Sequence, residues 1–196
     1  MICAIIMASG SSKRMGKNKL LLPFLGKSLI ENIIDIILES KFSKIVLVAA
    51  SEEIIEIGQN KNIVSLYNKN AEYGQSESIK IGLGTSPDFD GYMFFTGDQP
   101  LLDGDTIRTL INAFENNKNK IIIPSFEGKS GNPVIFPVKF YNELMNLSGD
   151  VGGRIIINKY NDEVLKVEVN NKYVLFDVDT PEEYSKIIDL QKDEFK

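Results

Sequence analysis

The chain has no histidine and a single cysteine among its 196 residues. Without imidazole, general acid–base catalysis by histidine is excluded, and so is the commonest transition-metal ligand. Any bound metal is therefore expected to be hard and held by oxygen. The lone Cys3 excludes an intramolecular disulfide, and its place inside an apolar run makes it a small buried hydrophobe. No apolar stretch is long enough to span a bilayer, and the N-terminal cations come after the apolar run with no long apolar segment behind them. A cytoplasmic protein without a membrane partner is expected.

A further absence is local. Residues 1–30 contain no Asp or Glu but five cations, Lys13, Arg14, Lys17, Lys19 and Lys27, in a chain of net charge −5. Positive potential concentrated in this way suits a small polyphosphate better than a nucleic-acid backbone, so no nucleic-acid partner is expected. The cations come after an apolar run that ends at Met7 and breaks at Ala8-Ser9-Gly10. The run is too short and too β-branched for a helix and reads as a buried strand. In an open α/β sheet, the loop leaving the carboxyl end of such a strand is where ligands bind. Here Ser9, Gly10, Ser11 and Ser12 offer amides and hydroxyls beside the cations, which reads as an anion cradle; a solvated basic loop is the plainer alternative.

With 43% hydrophobic residues the chain can bury a sizeable core and fits a single domain, residues 1–196. Strands are expected at Lys44–Ala50, Ile63–Tyr67, Gly91–Thr96 and Lys120–Pro124. Between them, helices are expected from the capping box at Ser28–Glu31 to about Ser40, from Ser51 through Ile57, over Ser76–Leu83, and from Asp103 or Asp105 to about Asn116. This alternation predicts an α/β fold with a doubly wound, mostly parallel sheet. After Pro124 the pattern is less regular. It predicts a short strand at Pro133–Phe136, helices over Val138–Asn146 and Gly152–Tyr160, a hairpin of Val164–Val169 with Tyr173–Val178 around Asn170-Asn171, and a last helix from Pro181.

Two common phosphate motifs fail. Gly10 and Gly16 are one residue too far apart for the P-loop pattern and Lys17 is followed by Asn18, while the dinucleotide fingerprint would need glycines where Ser12 and Met15 stand. Thr96-Gly97-Asp98-Gln99-Pro100 ends a strand whose apolar run suggests burial, and an Asp at the carboxyl edge of a parallel sheet is a natural Mg²⁺ ligand, although Gly, Asp and Pro also make simple turns. Asp177 and Asp179 share one face if their segment is extended, and Asp179 or Thr180 equally suits a helix cap. Gln75 and Ser76 sit at a helix start, where free amides favour an anion or a nucleotide's sugar and base, with ordinary capping by Ser76 the rival account.

The opening segment resembles the L-A-A-G-x-x-x-R-M/F-G-x-x-K signature of the molybdenum cofactor cytidylyltransferase family, with Gly10, Arg14, Met15, Gly16 and Lys19 in register and Met7 and Ser9 where Leu and Ala are usual. Gly97-Asp98-Gln99-Pro100, the Gly74–Ser78 stretch and Asp177–Glu182 resemble further elements of that family in the same order. The resemblance implies nucleotide binding by Met7, Ala8, Ser9, Gly10, Arg14, Lys19, Gln75 and Ser76, with Arg14, Lys19 and Asp98 catalytic. It also implies Mg²⁺ on Asp98 with Asp177 or Asp179. The loops carrying Gly131, Asn132, Pro133 and Arg154 resemble those that face the pterin substrate, where relatives often carry His at Asn132 and Ala at Gly153. Arg154 reads either as a grip on the substrate phosphate or as a helix-surface cation.

The implied reaction transfers CMP from CTP to the terminal phosphate of molybdenum-bearing molybdopterin, with a molybdenum hydroxylase as recipient of the product. Guanylyl transfer, transfer to a sugar or alcohol phosphate, and a non-catalytic nucleotide-binding chaperone are the alternatives. On this sequence Lys19 reads as an exposed loop cation that contributes little to folding.

Overall fold

A computed structural model describes residues 1–10, 15–16, 18–40 and 42–194. In chain order its elements are β1 (Ile2–Ala8), a small hairpin of β2 (Pro23–Phe24) and β3 (Lys27–Ser28), α1 (Leu29–Glu39), β4 (Lys44–Ala49), α2 (Glu52–Asn60), β5 (Val64–Tyr67), α3 (Gln75–Gly84) and β6 (Gly91–Thr96). After these come α4 (Gly104–Asn116), β7 (Ile121–Phe126), β8 (Lys129–Ser130), β9 (Val134–Pro137), α5 (Tyr141–Met145), α6 (Arg154–Lys159), β10 (Val164–Glu168) and α7 (Pro181–Glu194). The main sheet has the order β10-β7-β9-β6-β1-β4-β5, with β8 paired to β7. It is parallel throughout except for β9, which runs against both β6 and β7, and the short β8.

The helices cover both faces because β1 is apolar on both. Ala4, Ile6 and Ala8 pack toward α1, α2 and α4, through Ile33, Ile54 and Leu110 among others. Cys3 and Ile5 point the other way, toward Ile79 and Leu83 of α3, Leu144 of α5 and Ile156 of α6. This is the period-2 alternation of a strand buried on two sides. A third cluster, Leu22, Phe24, Leu29, Val178 and Ile187, seats α7 on the β2–β3 hairpin. No helix among the described residues is long and apolar enough to cross a membrane.

Three helix starts carry side-chain caps, whereas Ser51 precedes α2 without a side-chain cap bond. Ser28 and Glu31 exchange both bonds of a capping box, Thr180 and Glu183 do the same ahead of α7, and Asp103 rather than Asp105 caps α4 by accepting from the Thr106 amide at 2.7 Å. The expected C-terminal hairpin is absent. Strand β10 pairs in parallel with β7, and Lys172–Leu175 forms a 3₁₀ turn in place of a returning strand. The cause is Asn171, whose side chain accepts from the Tyr173 amide and donates to Leu101 O at 3.1 Å and to Asp103 at 2.7 Å. That side chain turns the backbone and ties it to the segment after β6, where Val178 N–H donates to Asp98 O at 2.9 Å.

Candidate active site

The carboxyl ends of β1 and β6 open into a cavity of about 1200 Å³. Met7, Ala8, Ser9 and Gly10 line it from β1, Gly97 and Asp98 from β6, Gln75 from the start of α3, and Lys19 and Asp179 from the remaining wall. A second cavity of about 560 Å³ adjoins it, and Met7, Gln75 and Thr96 line both. Gly131, Asn132 and Arg154 belong to the second cavity, whose apolar walls include Phe94 and Phe136. Pro133 is buried beside it and does not line it. Arg14, with Ser11, Ser12, Lys13 and Lys17, lies outside the described residues.

In the wall of the larger cavity three distant segments converge on Lys19. Asn18 caps a 3₁₀ turn over Lys19–Leu21 by accepting from the Leu20 amide at 3.2 Å, which aims the lysine inward. Its ammonium donates to Asp98 Oδ2 and to Asp179 Oδ1, both at 2.6 Å. Lys19 is 7% exposed, so the reading of an exposed loop cation is corrected: the spacing of the motif is right, but the charge is buried against two carboxylates. Burial works against the charged form, yet Asp98 and Asp179 outweigh it and hold the ammonium above the usual lysine value.

Asp177 stands behind this pair. Burial pushes its carboxyl up to about 6, reinforced by the negative charges of Asp98 and Asp179, while Gln99 and Lys19 pull the other way. Asp98 Oδ1, Asp177 Oδ1 and Thr96 Oγ1 are buried with no hydrogen-bond partner among the described residues. Buried oxygens of this kind are costly unless something satisfies them. Among the described residues no three acidic side chains are already grouped as a metal centre.

The raised Asp177 value carries a stability consequence. The protonated form is favoured in the fold, so its stabilisation is present below the ordinary value of 3.8 and is lost as pH rises through about 6. Asp177→Asn is therefore expected to stabilise the chelator-treated protein by about 1–2 kcal/mol at pH 7, allowing for solvent screening, and to leave it unchanged near pH 4. Thermal unfolding at both pH values checks this; the same shift at each would mean the carboxyl is not under strain.

On the far side of the large cavity, a loop from Gly149 to Gly153 folds over the start of α3. Ser76 is fully buried and its hydroxyl donates to Gly149 O at 2.8 Å, so its side chain faces away from the cavity, which Ser78 lines instead. The Gln75 amide donates to Asp150 Oδ1 at 3.3 Å, and a Cβ on Gly152 would fall 2.2 Å from Gln75 Oε1. Gln75 is thus wedged between the cavities, its amide group reaching Met7 Sδ at 3.8 Å. Thr96, Ser78 and Asp150 also line the cavity; each belongs to a motif legible in the sequence, though none is among the site residues expected from it. Thr96 ends β6 directly before Gly97-Asp98, and that position at the sheet edge was the available signal.

The sequence profile of the MobA-like NTP transferase domain family matches residues 4–164. Purine catabolism protein PucB of Bacillus subtilis (strain 168) is 27% identical over 198 residues, covering 95% of each chain. The probable molybdenum cofactor guanylyltransferase of Natranaerobius thermophilus is 31% identical over 128 residues, which cover 65% of this chain and 62% of that protein, less than two thirds of its length. Rv0371c of Mycobacterium tuberculosis H37Rv superposes with a TM-score of 0.85 at 23% identity, covering 96% of this chain and 97% of the other. Its structure is also known as a complex with manganese. That last likeness is one of fold.

Proposed function

We propose, for a chain that belongs to the MobA-like NTP transferase domain family, that it transfers CMP from CTP to the terminal phosphate of molybdenum-bearing molybdopterin, releasing pyrophosphate. The observation that carries this reading is the meeting of two cavities at Met7, Gln75 and Thr96, with the Lys19–Asp98–Asp179 cluster in the wall of the larger one. A nucleotide in the larger cavity brings its α-phosphate to that junction. An acceptor in the smaller cavity attacks there: its phosphate oxygen bonds to the α-phosphorus, the bond to the bridging oxygen breaks, and the electron pair leaves on pyrophosphate. The attacking group is already anionic, so no general base is needed, in keeping with a chain that has no histidine.

Catalysis is then positioning and neutralisation of charge. Lys19, with Arg14 and the amides around Gly10, holds the triphosphate and stabilises the departing pyrophosphate. The two unpartnered oxygens, Asp98 Oδ1 and Asp177 Oδ1, with Asp179 close by, are a donor set suited to Mg²⁺. When bound, the ion supplies further charge neutralisation at the phosphate oxygens. The manganese complex of the mycobacterial relative supports a divalent ion. A molybdenum hydroxylase is the proposed recipient of the finished dinucleotide.

Base choice rests on the first turn. Ala8 and Ser9 both carry side chains at the end of β1, and Ser9 Oγ is held by donating to Val48 O at 3.3 Å. Crowding and unpaired polar groups are expected to reject a purine by about 100-fold or more. The guanylyltransferase relative favours GTP as a second reading. The deciding measurement is kcat/KM for CTP and GTP at one Mg²⁺ concentration with molybdenum-bearing molybdopterin. A ratio near one, or in favour of GTP, overturns the cytidylyl choice and leaves nucleotidyl transfer standing; nucleotide binding without pyrophosphate release points to a chaperone.

A further inference from the structure

The carbonyl oxygen of Val174 accepts two hydrogen bonds from opposite sides of the site. Gln99 Nε2 donates to it at 3.3 Å and the backbone N–H of Asn132 donates at 3.0 Å. Gln99 comes directly after Asp98, whereas Asn132 lines the smaller cavity. The loop also presses on that carbonyl through Gly131, where a Cβ would lie 2.1 Å from Val174 O. Gln99 itself is 2% exposed and lines neither cavity.

Stability alone does not call for this glutamine. Val174 O would still hold one donor, from Asn132, if Gln99 were apolar, and replacing a buried amide by an apolar group of similar shape is often close to neutral. What the amide adds is a fixed distance. It links the Asp98 turn and the loop of the second cavity through one carbonyl, three residues ahead of Asp177.

We infer that Gln99 is a positioning residue that sets the Gly131–Pro133 loop at a fixed separation from Asp98 and Asp177. It thereby aligns the acceptor's attacking phosphate with the nucleotide. The inference rests on the transferase reading for its kinetic consequence but not for its structural one. A misplacement of about 1 Å between reacting groups costs on the order of 100-fold in rate.

The test compares Gln99→Leu and Gly131→Ala with the wild type. Amide hydrogen exchange without ligands should show Asn132 exchanging at least about tenfold faster in Gln99→Leu, with Ile5 and Val48 in the sheet unchanged. Calorimetric binding of CTP with Mn²⁺ should stay within about twofold, while kcat/KM for molybdenum-bearing molybdopterin falls by about 10- to 100-fold in both variants. Unchanged exchange at Asn132 would overturn the inference, as would equal losses in nucleotide binding and acceptor kinetics. If Gln99→Leu does not fold, Gly131→Ala, which disturbs the same carbonyl from the other side, must show the split between nucleotide binding and acceptor kinetics. If the wild type turns over neither nucleotide, the transferase reading fails, and exchange at Asn132 still decides whether Gln99 positions the loop.

Discussion

Asp98→Asn is expected to leave a folded protein whose turnover has dropped by at least about 1000-fold. The backbone around Asp98 is held by bonds that the substitution does not touch: Val178 N–H to Asp98 O at 2.9 Å and Gly97 N–H to Met7 O at 3.1 Å. Asparagine weakens the bond from the Lys19 ammonium by removing one charge, but its oxygen still accepts and Lys19 keeps Asp179 at 2.6 Å. The substitution removes a charge in the wall of the larger cavity, two residues after Thr96, together with an unpartnered oxygen, Oδ1, available to a cation. Several kcal/mol of transition-state charge stabilisation then go, and each 1.36 kcal/mol is worth about tenfold in rate. Steady-state kinetics and circular dichroism of the same preparation check the prediction. Turnover within tenfold of wild type would mean that Asp98 is a turn residue paired with a lysine and nothing more.

Lys19→Ala is expected to lower turnover by about 100- to 1000-fold, the usual cost of removing one group that stabilises a developing anion. Unlike an exposed cation, it should also cost stability. Its ammonium is the donor at 2.6 Å to both Asp98 and Asp179, and its removal leaves their negative charges facing each other beside Asp177. Breaking a buried pair by deleting one partner costs about 3–5 kcal/mol when the pair is fully enclosed. Asp179 is 46% exposed, so a loss of about 1–3 kcal/mol is expected here. Manganese should recover part of that loss by taking over the carboxylates, which thermal unfolding with and without the ion would read. A variant with normal turnover sinks the phosphate role of Lys19; one with normal stability sinks the ion-pair argument.

The contrast between the two residues shows what a sequence makes legible. The position of Asp98 is set by local pattern: an apolar strand, a glycine, then an acid at the sheet edge. The capping boxes at Ser28–Glu31 and Thr180–Glu183 are legible for the same reason, since both partners lie within four residues. The environment of Lys19 is not, because its carboxylates are 79 and 160 residues away along the chain. Nor is the parallel pairing of β10 with β7, for which the Asn170-Asn171 dipeptide suggested a tight reversal. Turn chemistry there is real, but the Asn171 side chain spends it on Leu101 and Asp103, partners that only the folded sheet brings near. Ser76 teaches the same lesson: a serine at a helix start looks available, and a loop from the second half of the chain claims its hydroxyl.

Strand β9 carries a consequence for how such a chain diversifies. Because it runs against β6, with Val134 opposite Phe94 and Pro137 opposite Gly91, the residues that enter it arrive at the same edge where β6 ends. The loops that leave β1, β4, β5 and β6 at that edge lead on to crossover helices, and lengthening one would push its helix off the sheet. The stretch from β7 to β9 has no helix to displace. It passes through the two-residue turn Glu127-Gly128, both in the left-handed region at φ 50° and 77°, and the two residues of β8. Residues 127–130 can accordingly be lengthened without moving a helix, whereas Gly131 and Asn132 keep their places against Val174 O. On the proposed transferase reading, the acceptor side can be altered there, through Ser130 in the wall of the smaller cavity, while the parallel strands keep their register.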